Sequence, residues 1–196
     1  MVFHKYRLIC TGIPKNASSS IFDILNNRTD QSHDHFTILQ DFQNNDADLM
    51  ESYTAFCVVR NPYDRFFSAC EQIKRDASEN FDKSTKEIIY QEVIGVHNVN
   101  EVFIPQYKFV SFGNKILIEN VFRYENLEED WSKFSTNYNK TSIFKIRTAL
   151  PKSNKTKERI PWQEEIKTLT QEELDYINHF YEKDFKLFNY EMIEEL

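Results

Sequence analysis

Glycine is nearly missing from this chain: three among 196 residues, at positions 12, 95 and 113, against an average usage of about 7%. Neither a G-x-G-x-x-G fingerprint nor a G-x-x-x-x-G-K-[ST] loop can be written, which argues against a standard dinucleotide site and a Walker nucleoside triphosphatase. Cysteine is scarce too. Cys10, Cys57 and Cys70 form an odd set without metal-ligand spacing, and Cys10 and Cys57 lie in apolar runs where a reduced thiol acts as a small hydrophobe. His33-x-His35 sits in a polar stretch with no third ligand at useful spacing, so no metal is expected. No apolar run approaches the roughly 18 residues of a membrane span, and no signal-peptide pattern opens the chain. The expectation is a cytoplasmic protein without a membrane partner.

Aromatic residues are abundant, with 17 Phe and 10 Tyr, and they argue for a packed core rather than disorder. The length suits one domain over residues 1–196, with no Pro-, Gly- or Ser-rich linker to divide it. Net charge is −7, which speaks against a general nucleic-acid binder. One basic island breaks the acidic average. Residues 145–159 hold six basic side chains and one acid, a solvated basic loop or a site for a small anionic ligand.

Residues 6–13 form a short apolar run that reads as a buried strand, ended by Gly12 and Pro14, with helical spacing over 18–25. A second apolar run, 53–59, has the continuous character of a central parallel strand. Asn61-Pro62 then starts a helix to about residue 75, with Asn as N-cap and Pro in the first turn. Ser84-x-x-Glu87 and Thr170-x-x-Glu173 are capping boxes; the second opens a helix expected to run to residue 185. Residues 115–122 read as a third strand and 126–137 as a charged helix. Strands alternating with helices predict an α/β domain with a parallel sheet.

In such sheets the ligand lies at the carboxyl ends of the strands, and two ends stand out. After the first strand, Pro14-Lys15-Asn16-Ala17-Ser18-Ser19-Ser20 offers a cation, three hydroxyls and the amides of a helix N-terminus, a setting for phosphate or sulfate. It also fits a plain N-cap. After the second, Arg60 stands at the strand mouth with Ser68 two turns into the next helix. That pair can grip a second phosphate through the arginine fork, or Arg60 can serve a structural ion pair. Two neighbouring anion sites and a basic loop ask together for a nucleoside with phosphates at both ends.

These residues look familiar as a set. Ile13-Pro14-Lys15-Asn16-Ala17-Ser18-Ser19-Ser20-Ile21 resembles the 5′-phosphosulfate loop of the sulfotransferases, and Phe56-Cys57-Val58-Val59-Arg60-Asn61-Pro62-Tyr63-Asp64-Arg65-Phe66-Phe67-Ser68 resembles their 3′-phosphate motif. The match is closer to the branch holding the Golgi carbohydrate sulfotransferases of chondroitin, dermatan and heparan chains. Pro105-Gln106, residues 122–127 and residues 181–190 add further echoes in order. The resemblance implies a P-loop-like three-layer α/β sandwich around a central parallel sheet. It implies 3′-phosphoadenosine 5′-phosphosulfate (PAPS) as donor and no metal. By position, Lys15 would stabilise the leaving 5′-phosphate, and Pro14, Asn16, Ala17, Ser18, Ser19 and Ser20 would cradle the phosphosulfate. Arg60 and Ser68 would bind the 3′-phosphate, and Lys152, Ser153, Asn154 and Lys155 resemble the late basic loop that closes over the donor.

The acceptor implied is hydroxyl-bearing, a glycan or a small molecule. Sulfuryl transfer asks mainly for in-line positioning and charge stabilisation on the leaving group, with a general base for the acceptor proton. Carbohydrate members often place a histidine just before Pro-Gln. Here Val102, Phe103 and Ile104 stand in those places, which leaves His97 and Glu101 as candidate bases. Two other classes remain open at this point: a nucleotide-binding module without transfer activity, and a P-loop nucleotide kinase.

Overall fold

The computed structural model describes residues 1–25, 37–44, 51–76, 84–94, 99–151 and 160–196. In chain order the elements begin with β1 (Val2–Phe3), β2 (Leu8–Thr11), α1 (Ser18–Leu25), α2 (Ile38–Asn44), β3 (Thr54–Val59), α3 (Pro62–Asp76) and α4 (Thr85–Glu92). They continue with α5 (Tyr107–Val110), β4 (Ser111–Phe112), β5 (Lys115–Ile116), β6 (Asn120–Arg123), α6 (Leu127–Thr141), α7 (Trp162–Glu165), α8 (Gln171–Phe180) and α9 (Glu182–Phe188). The chain divides into two compact units, Met1–Arg60 with Gln106–Lys155, and Asn61–Pro105 with Thr156–Leu196.

The first unit holds a four-stranded sheet in the order β1-β2-β3-β6. β1 pairs antiparallel with β2, while β2–β3 and β3–β6 are parallel. A mixed α/β fold with a mostly parallel sheet is therefore present, as the strand and helix alternation predicts. The register sets Thr11 opposite Cys57 and Val59 opposite Arg123. The carboxyl ends of β2, β3 and β6 thus share one edge, and the chain leaves them at Gly12, Arg60 and Tyr124. The sheet is anchored on an aromatic core. Phe56 lies 5.5 Å from Phe122 and 5.8 Å from Trp131, ring centre to ring centre, and Phe134 closes the group at 5.4 Å from Phe56. Such pairs add about 0.5–1.5 kcal/mol each beyond the area they bury. Trp131 is fully buried and satisfies its indole N–H on the Arg147 carbonyl at 2.9 Å.

Three local expectations change. Structure begins at Val2 rather than at Tyr6, because β1 turns back through a 3-10 turn (His4–Tyr6) whose end, Arg7, is left-handed at φ 51°. The strand expected over 115–122 is two strands. Residues 115–116 pair antiparallel with 111–112 around Gly113-Asn114, with Gly113 at φ 61° supplying the turn geometry that favours glycine; only Asn120–Arg123 joins the main sheet. Lys145, counted in the basic island, donates to the carbonyls of Asn139 and Ser142. It caps the end of α6, where a cation offsets the helix dipole.

The second unit is helical. Its core includes Tyr63, Phe66, Phe67, Cys70, Ile73, Ile88, Ile89, Phe103, Leu174 and Phe185. Asn61 accepts from the amides of Tyr63 and Asp64 at 2.9 and 3.3 Å, so the expected N-cap is real. Both capping boxes also form, at Ser84/Glu87 and Thr170/Glu173. The helix expected over 170–185 breaks at Tyr181 (φ −105°, ψ 14°). There the chain turns to bury the tyrosine ring and place its hydroxyl on the Phe103 carbonyl at 2.8 Å. Among the described residues no helix is long and apolar enough to cross a membrane.

All three cysteines are free and buried. Burial pushes the Cys10 thiol up to about 12 and raises that of Cys57 as well. With a raised value the reactive thiolate appears only as pH rises toward it, so at pH 8 the Cys10 thiol stays protonated. A disulfide reagent at pH 8 should therefore titrate no cysteine within minutes in the native protein and three after denaturation in guanidinium. Rapid native labelling would contradict this packing.

Candidate functional site

The site starts from a backbone problem. Between β2 and α1 the chain must turn from strand into helix within residues 12–17, and there is no glycine after Gly12 to help. Lys15 and Ala17 are instead left-handed, at φ 69° and 59°, with Asn16 between them outside that region. A left-handed L-residue costs about 1–2 kcal/mol. Alternating handedness of this kind turns successive N–H groups to one side and makes a concave anion nest. α1 begins at once: Ala17 O accepts from Ser20 and Ile21 at 3.0 and 3.3 Å. The first-turn amides of Ser18 and Ser19 have no partner among the described residues, as expected at a helix start. Ser19 is exposed, and Lys15, Ala17, Ser18 and Ser20 are half-buried.

Asn16 fixes the turn from beneath. It is only 2% exposed, and its Nδ2 donates at 2.7 Å both to the Val58 carbonyl on β3 and to Gln106 Oε1. Gln106, fully buried, also accepts from the Arg60 amide at 2.9 Å and donates from Nε2 to the Arg60 carbonyl at 2.9 Å. One side-chain amide therefore mimics a strand neighbour for Arg60 while holding the loop asparagine. Above it the Arg60 guanidinium donates to the Lys15 carbonyl at 2.9 Å. It lies 4.1 Å from the centre of the Tyr124 ring, a cation–π contact. Tyr124 is the first residue after β6, so the three strand ends meet in one polar network.

Among the described residues, two buried oxygens of this unit, Thr11 Oγ1 and Asn16 Oδ1, have no hydrogen-bond partner. Each such orphan costs about 1–3 kcal/mol. Both line a narrow crevice with Gly12, Ile13, Ser18 and Ile21 behind the loop. Strain and unpartnered polarity therefore coincide at this strand end, a combination met at functional sites. A second cavity of about 470 Å³ opens beside Thr54, Asn120, Lys133 and Asn137. It lies at the opposite, amino-terminal end of β3 and β6, where Asn120 and Lys133 are already bonded to Ala55 O and Glu129.

Of the residues singled out in the sequence, Pro14 to Ser20 and Arg60 come together here. Ser68 is half-buried on α3, and Glu101 is exposed at the start of a 3-10 turn (Glu101–Phe103) capped by Asn100; both belong to the second unit. His97, Lys152, Ser153, Asn154 and Lys155 lie outside the described residues, as do His33 and His35. Among the described residues no group of three His, Cys, Asp or Glu is placed to hold a metal ion. The contributions that sequence reasoning missed are those of Gln106 and Tyr124. Both stood in stretches noted as echoes, but their partners are distant in sequence and no local signal names them.

Comparison with known proteins adds two findings. A family model described as the sulfotransferase family matches residues 1–191. An uncharacterized protein of Archaeoglobus fulgidus is 32% identical over 85 residues, which cover 43% of this chain and 67% of that one. No solved structure matches.

The strained loop makes its own prediction. Ala→Gly at a helix start ordinarily destabilises or is neutral, but Ala17→Gly removes a left-handed Cβ and should raise stability by about 0.5–1 kcal/mol, after allowing for the entropy of the unfolded chain. Denaturant unfolding measures it; a clear loss would show that Ala17 is not held left-handed.

Proposed function

The chain belongs to the sulfotransferase family, and from that premise we propose that it transfers the sulfuryl group of PAPS to a hydroxyl, or an amine, on a glycan or a small molecule. The acceptor oxygen forms a bond to sulfur as the bond to the bridging oxygen of the 5′-phosphate breaks. The acceptor proton passes to a base, and 3′-phosphoadenosine 5′-phosphate (PAP) leaves. The observation that carries the reading is the left-handed Lys15–Ala17 turn braced against Arg60. It supports an anion nest with an arginine beside it, which suits a ligand bearing phosphates at two positions.

In this reading the amides and hydroxyls from Ala17 to Ser20 hold the phosphosulfate, with the Asn16 amide group turned inward as their brace. Lys15 neutralises charge on the leaving phosphate, the chief requirement of such a transfer. Arg60 and Ser68 take the 3′-phosphate, and Lys152 to Lys155 close over the donor. His97 or Glu101 serves as base, and no metal takes part. The fold is a P-loop-like three-layer sandwich over residues 1–196, and the carbohydrate branch of the family supplies the nearest pattern.

Calorimetric titration without added metal tests this directly. PAP should bind at least about tenfold more tightly than 5′-AMP or ATP, since a charge-assisted pair contributes about 1.5–3 kcal/mol. Arg60→Ala should erase that preference. Lys15→Ala should lower turnover with PAPS by about 10²-fold or more, as loss of one transition-state donor does, while PAP still binds. Equal affinity for PAP and AMP would sink the donor assignment. PAP binding without turnover for any acceptor would leave a nucleotide-binding module, and a magnesium-dependent preference for ATP would favour a kinase.

A further inference from the structure

We infer that Gln106 is the positioning residue that sets the distance between the two phosphate subsites of the donor. The inference rests on the donor reading above. Three of its hydrogen bonds carry the argument: Oε1 accepts from Asn16 Nδ2 at 2.7 Å and from the Arg60 amide at 2.9 Å, and Nε2 donates to the Arg60 carbonyl at 2.9 Å. The first holds the one residue between the two left-handed positions of the loop. The other two hold the main chain of the arginine assigned to the 3′-phosphate. Gln106 touches neither phosphate in this arrangement; it acts through Asn16 and Arg60.

A side-chain amide suits this position because it presents a donor and an acceptor side by side, as a neighbouring strand would. A carboxylate would set an oxygen against the Arg60 carbonyl, and an apolar residue would leave the Arg60 groups and one Asn16 hydrogen unpartnered in a buried place. The consequence is specific. A ligand that engages both subsites gains from their fixed spacing, since binding at one end raises the effective concentration of the other. A ligand that engages one subsite gains nothing from it.

The test is therefore a comparison of ligands in one variant. In Gln106→Met, which keeps volume and removes the hydrogen bonds, PAP affinity should fall about tenfold or more while 5′-AMP affinity changes less than about threefold. The KM for PAPS should rise while the KM for the acceptor holds. A residue that merely stabilises the fold would lower the fraction of active protein and leave both Kd values of the folded fraction unchanged. Should Gln106→Met not fold, Gln106→Glu gives the same readout, since it keeps acceptors for Asn16 and the Arg60 amide and loses only the donor. Wild-type protein that prefers PAP, with a variant that keeps the same PAP-to-AMP ratio, overturns the role of Gln106 and leaves the donor reading standing. Wild-type protein with no PAP preference overturns the donor reading and this role with it.

Discussion

The first unit depends on holding two ordinary L-residues, Lys15 and Ala17, in a left-handed conformation beside each other's neighbour. Glycine would make such a turn at no steric penalty, but this loop has alanine and lysine where phosphate-binding loops commonly have glycine. The strain must then be over-determined by the surroundings. Asn16 does this, because its amide is locked to Val58 and to Gln106 at 2.7 Å each. The gain over glycine is rigidity. A loop that cannot relax keeps its N–H groups in one arrangement, and a donor set fixed in that way would lose little on binding an anion.

Placing that loop requires the sheet beneath it. The parallel register of β2, β3 and β6 brings Gly12, Arg60 and Tyr124 out on one edge, and the Phe56, Phe122, Trp131 and Phe134 group fixes that register by filling the face below. The network on top is built chiefly from neutral amides. A buried ion pair would carry a desolvation penalty of several kcal/mol per ion. Neutral amides specify geometry without that penalty, and they hold the main chain of Arg60, whose buried guanidinium is met by the Lys15 carbonyl and the Tyr124 ring.

Legibility in the sequence followed distance along the chain. Strands β2 and β3, the Asn61-Pro62 helix start and both capping boxes are local patterns, and they were readable because their physics is complete within about eight residues. The hairpin around Gly113 was not, since residues 115–116 pair backward with 111–112 while their apolar run continues forward into β6. The break at Tyr181 was not, because its reason is a hydrogen bond to Phe103, 78 residues away. At the site, Pro14 to Ser20 and Arg60 were visible as strand-end residue types. Gln106 was visible only as part of a short echo, for its partners stand 46 and 90 residues off. Lys145 went the other way: within a basic stretch that read as either a solvated loop or an anion site, a helix end accounts for its charge.

The segment before Pro105 bears on how the chemistry is divided. Val102 and Phe103 are buried at 7% and 0% exposure, and the Phe103 carbonyl receives the Tyr181 hydroxyl. Two of the places where carbohydrate relatives often carry a histidine are thus part of a hydrophobic core. A titratable group at either place would have to be desolvated there, which disfavours its charged form. A positioned base is worth typically about 10²–10⁴-fold, whereas positioning and leaving-group stabilisation supply the larger share of a group transfer of this kind. A polar network gathers at the strand ends, where Asn16, Gln106, Arg60 and the Lys15 carbonyl bond to one another. Under the proposed donor reading, this chain meets the larger requirement of the transfer with its strand-end network, while Val102 and Phe103 serve packing.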